Sequence, residues 1–207
     1  STHIIMKLIA SLTSPFARKV RVVLAEKKID CPLELDMPWE AGSRVAEFNP
    51  LGKVPVLLLD DGSTLFDSRV IVEYLDSISP VARLFPQERR QLIEARRWEA
   101  LADGICDAAA NIVIEQRRPP ALQSADWINR QHDKVIRGLA ALAHDLGERN
   151  WCCADSYGIA DISVGCCLGY LDFRFADFDW RTLHPNLASL ALRLQQRASF
   201  SDTLPPA

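Results

Sequence analysis

The chain has 207 residues, 48% hydrophobic and 25% charged, a globular composition long enough for one large domain or two small ones. A net charge of -3 and a pI near 5.8 give no basis for a nucleic-acid or anionic-membrane partner, both of which attract basic surfaces. No apolar run reaches the length of a membrane span and the opening STHIIMKLIAS lacks a signal peptide's layout, so a cytoplasmic protein is expected, with Met6 as the natural start or residues 1–5 as a genuine extension.

The first eighty residues alternate strand and helix. Ile5–Ala10 reads as a short apolar strand. From Pro15 to Lys28, Phe16, Val20, Val23 and Leu24 recur at helical spacing, and the basic residues Arg18, Lys19 and Arg21 are expected on the solvated face. Leu33, Leu35 and Met37 then alternate with Glu34 and Asp36, the pattern of a half-buried strand. Two strands joined through a helix should lie parallel with a right-handed crossover. EAGSRVAEFNPLG is a short irregular helical segment ended by Pro50 and Gly52; VPVLLLD is a strand, DDG a turn and STLFD the returning half of a hairpin. SRVIVEYLDSIS places Ile71, Tyr74, Leu75 and Ile78 on one helical face. The order βαβαββα predicts a mixed sheet with helices on both faces.

The two prolines of SPVARLFPQE mark a linker. Beyond it the pattern is helical over 86 to about 116, 124 to about 146, 158 to about 173 and 185 to about 198. The expected organisation is therefore an α/β domain over 1–80, a linker over 81–88 and an all-α domain over 89–207. The six cysteines (Cys31, Cys106, Cys152, Cys153, Cys166, Cys167) and four histidines (His3, His132, His144, His184) show no metal-ligand spacing. Reduced, mostly buried thiols and no metal are expected.

Three places in the first domain carry chemistry. Ser14 precedes Pro15 where the first strand gives way to a helix. It can be a plain N-cap, or its hydroxyl and the unpaired first-turn amides can receive an anion. Val54-Pro55 opens the third strand, a position proline tolerates; a cis bond there would turn the Val54 backbone toward an extended peptide. Asp67-Ser68 starts a helix, either as a cap or as a receptor in which Asp67 takes an ammonium and Ser68 a carboxylate, and Lys53 adds a cation for a second carboxylate. Together they describe a slot for a short zwitterionic peptide carrying a thiol.

TSPFARKVRVVLAEKKI, FNPLGKVPVL and LFDSRVIVEYL, in this order and spacing, resemble the glutathione S-transferase superfamily, nearest to bacterial transferases and the plant tau group with Ser-Pro-Phe after the first strand. GIADISVGCCLGYLDFR and HPNLASLALRLQQRASF resemble its helical domain, so the likeness spans nearly the whole chain. The resemblance implies a thioredoxin-like first domain, an α-helical second domain carrying the acceptor-substrate site, and a homodimer. It implies that Ser14 is catalytic, that Lys53 holds the glycine carboxylate of glutathione, that Val54 pairs with its cysteine backbone beside a cis Pro55, and that Asp67 and Ser68 hold its γ-glutamyl end.

The chain departs from the family pattern in three places. Thr13 adjoins Ser14 and Ser11 lies three before it, so the activating hydroxyl stays open. Gly158 stands where a hydroxyl N-cap is usual. No cysteine lies between Ser11 and Phe16, which argues against the members that reduce disulfides. Leu12, Phe16, Trp39, Asp103, Cys106 and Asp107 are the acceptor-site candidates, with core packing the plain alternative for Phe16 and Trp39, and a buried thiol for Cys106. The expected activity is attack of the glutathione thiolate on a small hydrophobic electrophile, in the manner of detoxification. The alternatives are a glutathione-dependent isomerase and a binding protein that kept the fold without the chemistry.

Overall fold

The computed structural model describes residues 5–207; His3 and the rest of residues 1–4 lie outside the described residues. One unit runs to Phe85 and also contains Arg197–Ala207, and the other is Pro86–Gln196. The first unit holds β1 (Lys7–Ala10), α1 (Pro15–Glu26), β2 (Leu33–Leu35), a 3-10 turn (Val45–Glu47), β3 (Val56–Leu58), β4 (Thr64–Leu65), α2 (Ser68–Ile78) and α8 (Ala198–Ser201). The expected βαβαββα order is present, with its middle helix reduced to the single 3-10 turn. Strand order is β2-β1-β3-β4, with β1 parallel to β2 and antiparallel to β3, and β3 antiparallel to β4.

β1 is central, and Leu8, Ile9 and Ala10 are all buried. Alternation along the strands sends Ile9 and Val56 to one face, where they form an apolar cluster with Val45 and the flanking Phe48, Val54 and Phe66. Leu8 and Leu57, paired in register, take the other face. β2 differs from its half-buried expectation. Leu33 and Leu35 are both exposed, Leu35 by 59%, because β2 is the edge strand and has a neighbour on one side only.

The basic run of α1 is the larger correction. Arg18 and Lys19 are 5% and 1% exposed rather than solvated, and only Arg21 reaches partway to water. The helix packs on α2 and on α8, so no side of it is left wholly to solvent. A buried cation needs partners. The Arg18 guanidinium finds them in the C-terminal segment, at the Thr203 hydroxyl (3.2 Å) and the Phe200 carbonyl (3.0 Å). Lys27, just past the helix, pairs with Asp76 at 2.8 Å, and the same carboxylate accepts the amides of Leu84 and Phe85. One buried ion pair thus ties the end of α1 to α2 and to the segment that follows it.

The second unit comprises α3 (Arg89–Gln116), a 3-10 turn (Pro120–Leu122), α4 (Ala125–Leu146), α5 (Ile159–Arg174), α6 (Trp180–Leu183) and α7 (Pro185–Gln195). The two 3-10 or single-turn elements here were not legible in the periodicity, being too short to display one. α3 and α4 approach closely at Gly138, where an added Cβ would meet Ile105 Cγ1 at 2.5 Å. α5 is buried from Ile159 through Leu168, and its one buried carboxylate, Asp161, accepts the Cys152 amide (2.8 Å) and the Gly158 amide (3.0 Å). Gly158 offers no side chain to cap the helix, so Asp161 carries the local hydrogen bonding. Burial pushes its carboxyl above the usual carboxylate range.

All six cysteines are free, five buried and Cys31 half-buried. Burial raises Cys31 and Cys153 each to about 11. Cys152 is raised further by burial and by Asp161. Cys106 is raised by its hydrogen bond to Cys167 and by burial.

Replacing Asp161 with Ala strands two amides, each costing about 1–3 kcal/mol when left unpaired. Asp161→Ala is therefore expected to lower the urea midpoint by the equivalent of about 2–4 kcal/mol, with Asp161→Asn intermediate because one acceptor oxygen remains. An unchanged midpoint for Asp161→Ala would remove this residue from the helix's hydrogen bonding.

Candidate functional site

The sheet's register assembles the site. β1 and β3 pair Ile9 with Val56 in antiparallel register, so the chain leaving β1 toward Ser14 and the chain entering β3 through Val54 stand at the same end of the sheet. β3 and β4 pair Leu57 with Leu65, and beyond β4 the chain enters α2 at Ser68. The three sequence segments singled out for chemistry therefore lie at the same end of the sheet.

Ser14 is the N-cap of α1. Its Oγ accepts the Ala17 amide at 3.1 Å and its carbonyl accepts the Arg18 amide at 3.0 Å. Its own amide donates to Ser11 Oγ at 3.2 Å. A serine hydroxyl has one donor proton and two acceptor lone pairs. Capping occupies a lone pair and leaves the proton for a ligand, so the cap and the ligand-facing role are compatible. Pro15 carries no amide N–H, and the Phe16 amide has no partner among the described residues, so one first-turn donor accompanies the Ser14 hydroxyl. The Ser11 hydroxyl is buried beneath, while Thr13 is half-exposed.

Lys53 is exposed. Val54 packs its side chain against the Ile9–Val45–Val56 cluster, and the Val54–Pro55 bond is cis, as expected; Phe66–Asp67 is cis as well. A residue not singled out in the sequence shapes this loop. Asn49 is buried, donates from Nδ2 to the Lys53 carbonyl (3.0 Å) and accepts the Leu51 amide at Oδ1 (3.0 Å). Its carbonyl takes the Gly52 amide (2.9 Å), and Gly52 adopts φ +65°, a conformation that favours glycine. The Asn-Pro pair within FNPLG is a turn signature that could have revealed Asn49.

Asp67 caps α2 through the Arg69 amide (3.0 Å), and its carboxylate pairs with the Arg69 guanidinium (2.8 Å). That guanidinium, together with the buried Lys19 cation, holds the Asp67 carboxyl below the usual carboxylate range. Ser68, the first residue of α2, is buried. Among the acceptor candidates of the first unit, Leu12 and Phe16 are half-buried beside the Ser14 turn. Trp39 is 69% exposed in a loop closed by Asp36, which accepts the Ser43 hydroxyl (2.6 Å) and the Arg44 amide (2.8 Å). In the helical unit Asp103, Cys106 and Asp107 lie on α3, half-buried, buried and exposed in turn.

Sequence models described as the N-terminal and C-terminal domains of glutathione S-transferase match residues 13–78 and 125–189. The chain belongs to the glutathione S-transferase family. It is 41% identical over 201 residues to the uncharacterized GST-like protein YibF of Escherichia coli K12, covering 97% of this chain and 99% of that one. It is 30% identical to a maleylacetoacetate isomerase of Pseudomonas aeruginosa, over 76% of this chain and 77% of that one. A crystal structure of a glutathione S-transferase from Methylobacillus flagellatus KT with GSH bound shares a TM-score of 0.95 and 53% identity, covering 97% of this chain and 100% of that one. Another, from Methylobacterium radiotolerans JCM 2831 in complex with glutathione sulfonate, shares 0.94 and 43%, covering 98% and 95%. This glutathione S-transferase family member thus has a thioredoxin-like N-terminal domain with a mixed four-stranded sheet, and a helical C-terminal domain.

A carboxyl held low in the folded state contributes stability above its unfolded pKa of about 3.9, and the contribution is lost as pH falls through the folded value. Titration of the Asp67 carboxyl by NMR is expected to give a pKa below about 3.9, and Arg69→Ala to move it back up. An Asp67 pKa indifferent to Arg69→Ala would contradict the pairing.

Proposed function

We propose that the protein is a Ser-type, cytoplasmic glutathione transferase in which Ser14 stabilises the glutathione thiolate for attack on an electrophile. The observation that carries this reading is the Ser14 hydroxyl itself: its acceptor side is engaged by the Ala17 amide, and its proton remains to be donated at a helix start. At the same end of the sheet, Lys53 takes the glycine carboxylate, the Val54 backbone pairs with the cysteinyl unit beside Pro55, and Asp67 and Ser68 take the γ-glutamyl ammonium and carboxylate. The two bacterial neighbours solved with GSH and with glutathione sulfonate support glutathione as the ligand.

A free thiol of pKa about 8.5 is only about 3% ionised at pH 7. Lowering that pKa by about two units needs roughly 2.7 kcal/mol of preference for the anion. A hydroxyl hydrogen bond to a charged acceptor contributes about 1.5–3 kcal/mol and the helix start about 0.3–1 kcal/mol, enough without a general base. The thiolate then forms the carbon–sulfur bond, and the electron pair leaves with a halide or comes to rest on the acceptor. Leu12, Phe16, Trp39, Asp103, Cys106 and Asp107 are the proposed acceptor surroundings.

A glutathione-dependent isomerase is the second reading, and one observation favours it. In the helical unit the Arg174 guanidinium lies 4.5 Å from the Phe173 ring centroid and 5.8 Å from that of Tyr170. It has no carboxylate partner among the described residues. An acceptor bearing a carboxylate would meet a ready cation there, and an isomerase is among the relatives. Turnover of a maleyl-type diacid against a chloronitroaromatic separates the two.

Ser14→Ala is expected to lower turnover about 20-fold at pH 7, the ratio of thiolate fractions for a two-unit pKa difference, while glutathione affinity changes little. The loss should shrink as pH rises toward the free thiol's pKa of about 8.5. Thr13→Ala is the control; if it abolishes activity while Ser14→Ala leaves the pH–rate profile untouched, Ser14 is a helix cap only. Binding of glutathione without turnover of any electrophile would instead favour a non-catalytic binding protein.

A homodimer, with the first domain of one subunit on the helical domain of the other, is part of this reading. Ile93 and Ile114 of α3 and Trp127 and Ile136 of α4 are exposed apolar side chains that such packing would cover. Sedimentation at micromolar concentration is expected to give twice the 23.2 kDa chain mass; a single-chain species alone would refute the dimer.

A further inference from the structure

Residues Arg197–Thr203 lie against α1 and grip it at two levels. Near its start, Arg18 donates from Nε to Thr203 Oγ1 (3.2 Å) and from Nη2 to the Phe200 carbonyl (3.0 Å), and its guanidinium lies 5.4 Å from the Phe200 ring centroid. Near its end, Glu26 accepts from Arg197 Nε (2.9 Å) and Nη2 (3.0 Å) and from the Ser199 hydroxyl (2.6 Å). The segment is braced within itself, since Thr203 Oγ1 donates to the Ser199 carbonyl at 2.8 Å. Phe200, Ser199 and Thr203 are all buried. None of these groups has a part in the chemistry proposed for the slot.

Their placement relative to Ser14 is what matters. Arg18 stands one helical turn after Ser14, and its amide closes that turn on the Ser14 carbonyl. Eight residues separate Arg18 from Glu26, about 12 Å along a helix rising 1.5 Å per residue. Two anchors at that separation resist both sliding along the helix axis and rotation about it. We propose that the segment 197–203 is a strap that fixes the first turn of α1, and that Arg18 is a positioning residue for the Ser14 hydroxyl and the Phe16 amide. Its catalytic consequence rests on Ser14 acting on the thiolate; its structural half does not. A reacting group displaced by about 1 Å can lose about 100-fold in rate, so the strap makes thiol activation depend on side chains at the far end of the sequence.

The test compares Arg18→Met, which keeps the stem and removes every donor, with Arg18→Lys, which can restore the bond to the Phe200 carbonyl. Amide exchange at Ala17, whose N–H is held by Ser14 Oγ, reports the first turn without any ligand. Arg18→Met is expected to speed that exchange at least about tenfold and to move the acid limb of kcat/KM upward by half a pH unit or more. Calorimetric glutathione affinity should stay within about threefold, and Arg18→Lys should fall between wild type and Arg18→Met. If residues 197–203 exchange freely in Arg18→Met while Ala17 exchange and the pH profile match wild type, the proposal is overturned. Should Arg18→Met not fold, Thr203→Val removes a single partner of the guanidinium; a smaller increase at Ala17 is expected, and none overturns the strap. A wild type that binds no glutathione would sink the transferase reading alone, since the Ala17 exchange then still decides whether the strap holds the turn.

Discussion

The register of β1 with β3, and of β3 with β4, is the constraint on which the rest of the structure depends. A strand's side-chain period is two, so a slip of one residue would turn Ile9 and Val56 out of their shared cluster with Val45. The same slip would shift the ends of β1, β3 and β4 from which the Ser14 turn, the Val54 backbone and the Ser68 helix start extend. Core packing and site geometry are therefore set by one set of hydrogen bonds. Asn49 extends that set beyond the sheet by fixing the peptide that enters Val54.

α1 follows directly from this register and occupies an enclosed position. Two cations are internal fastenings rather than parts of a solvated stripe: Arg18 to the C-terminal segment, and Lys27, at the C-cap of α1, to Asp76. Removing one partner of a buried ion pair costs about 3–5 kcal/mol because the other charge is left alone, although the intact pair adds little against well-packed apolar residues. Such groups define where a helix sits more than how strongly it is held. In the function proposed for Ser14, where the first turn presents the hydroxyl, placement is the quantity that counts.

Much of this was readable in the sequence, because the signals were local. Ser-Pro at a helix start, Asp-Ser at another, Val-Pro at a strand head and the alternation of strand and helix are each resolved within a few residues. What was not readable was long-range. Arg18 finds Phe200 and Thr203 more than 180 residues away, and nothing near position 18 distinguishes a buried arginine from a surface one. Leu33 and Leu35 carry a regular alternation, yet burial of a strand depends on its rank in the sheet, which the strand itself does not encode. Asn49 lay within reach, in a recognisable turn, but its side chain's partner follows only from the loop's closure.

The elevated thiols of this chain acquire meaning beside the chemistry proposed for its slot. A thiol of pKa about 11 is ionised at pH 7 to roughly one part in ten thousand, some 300-fold less than one at about 8.5. Cys31 and Cys153 have been raised to about that value, and Cys106 and Cys152 are raised too. An electrophile brought to a neighbouring activated thiolate would therefore find the protein's own sulfurs at these positions almost wholly protonated. The desolvation that raises these thiols would make them poor bystander targets, so under the proposed function a cysteine-rich scaffold would be spared alkylation by its own electrophile.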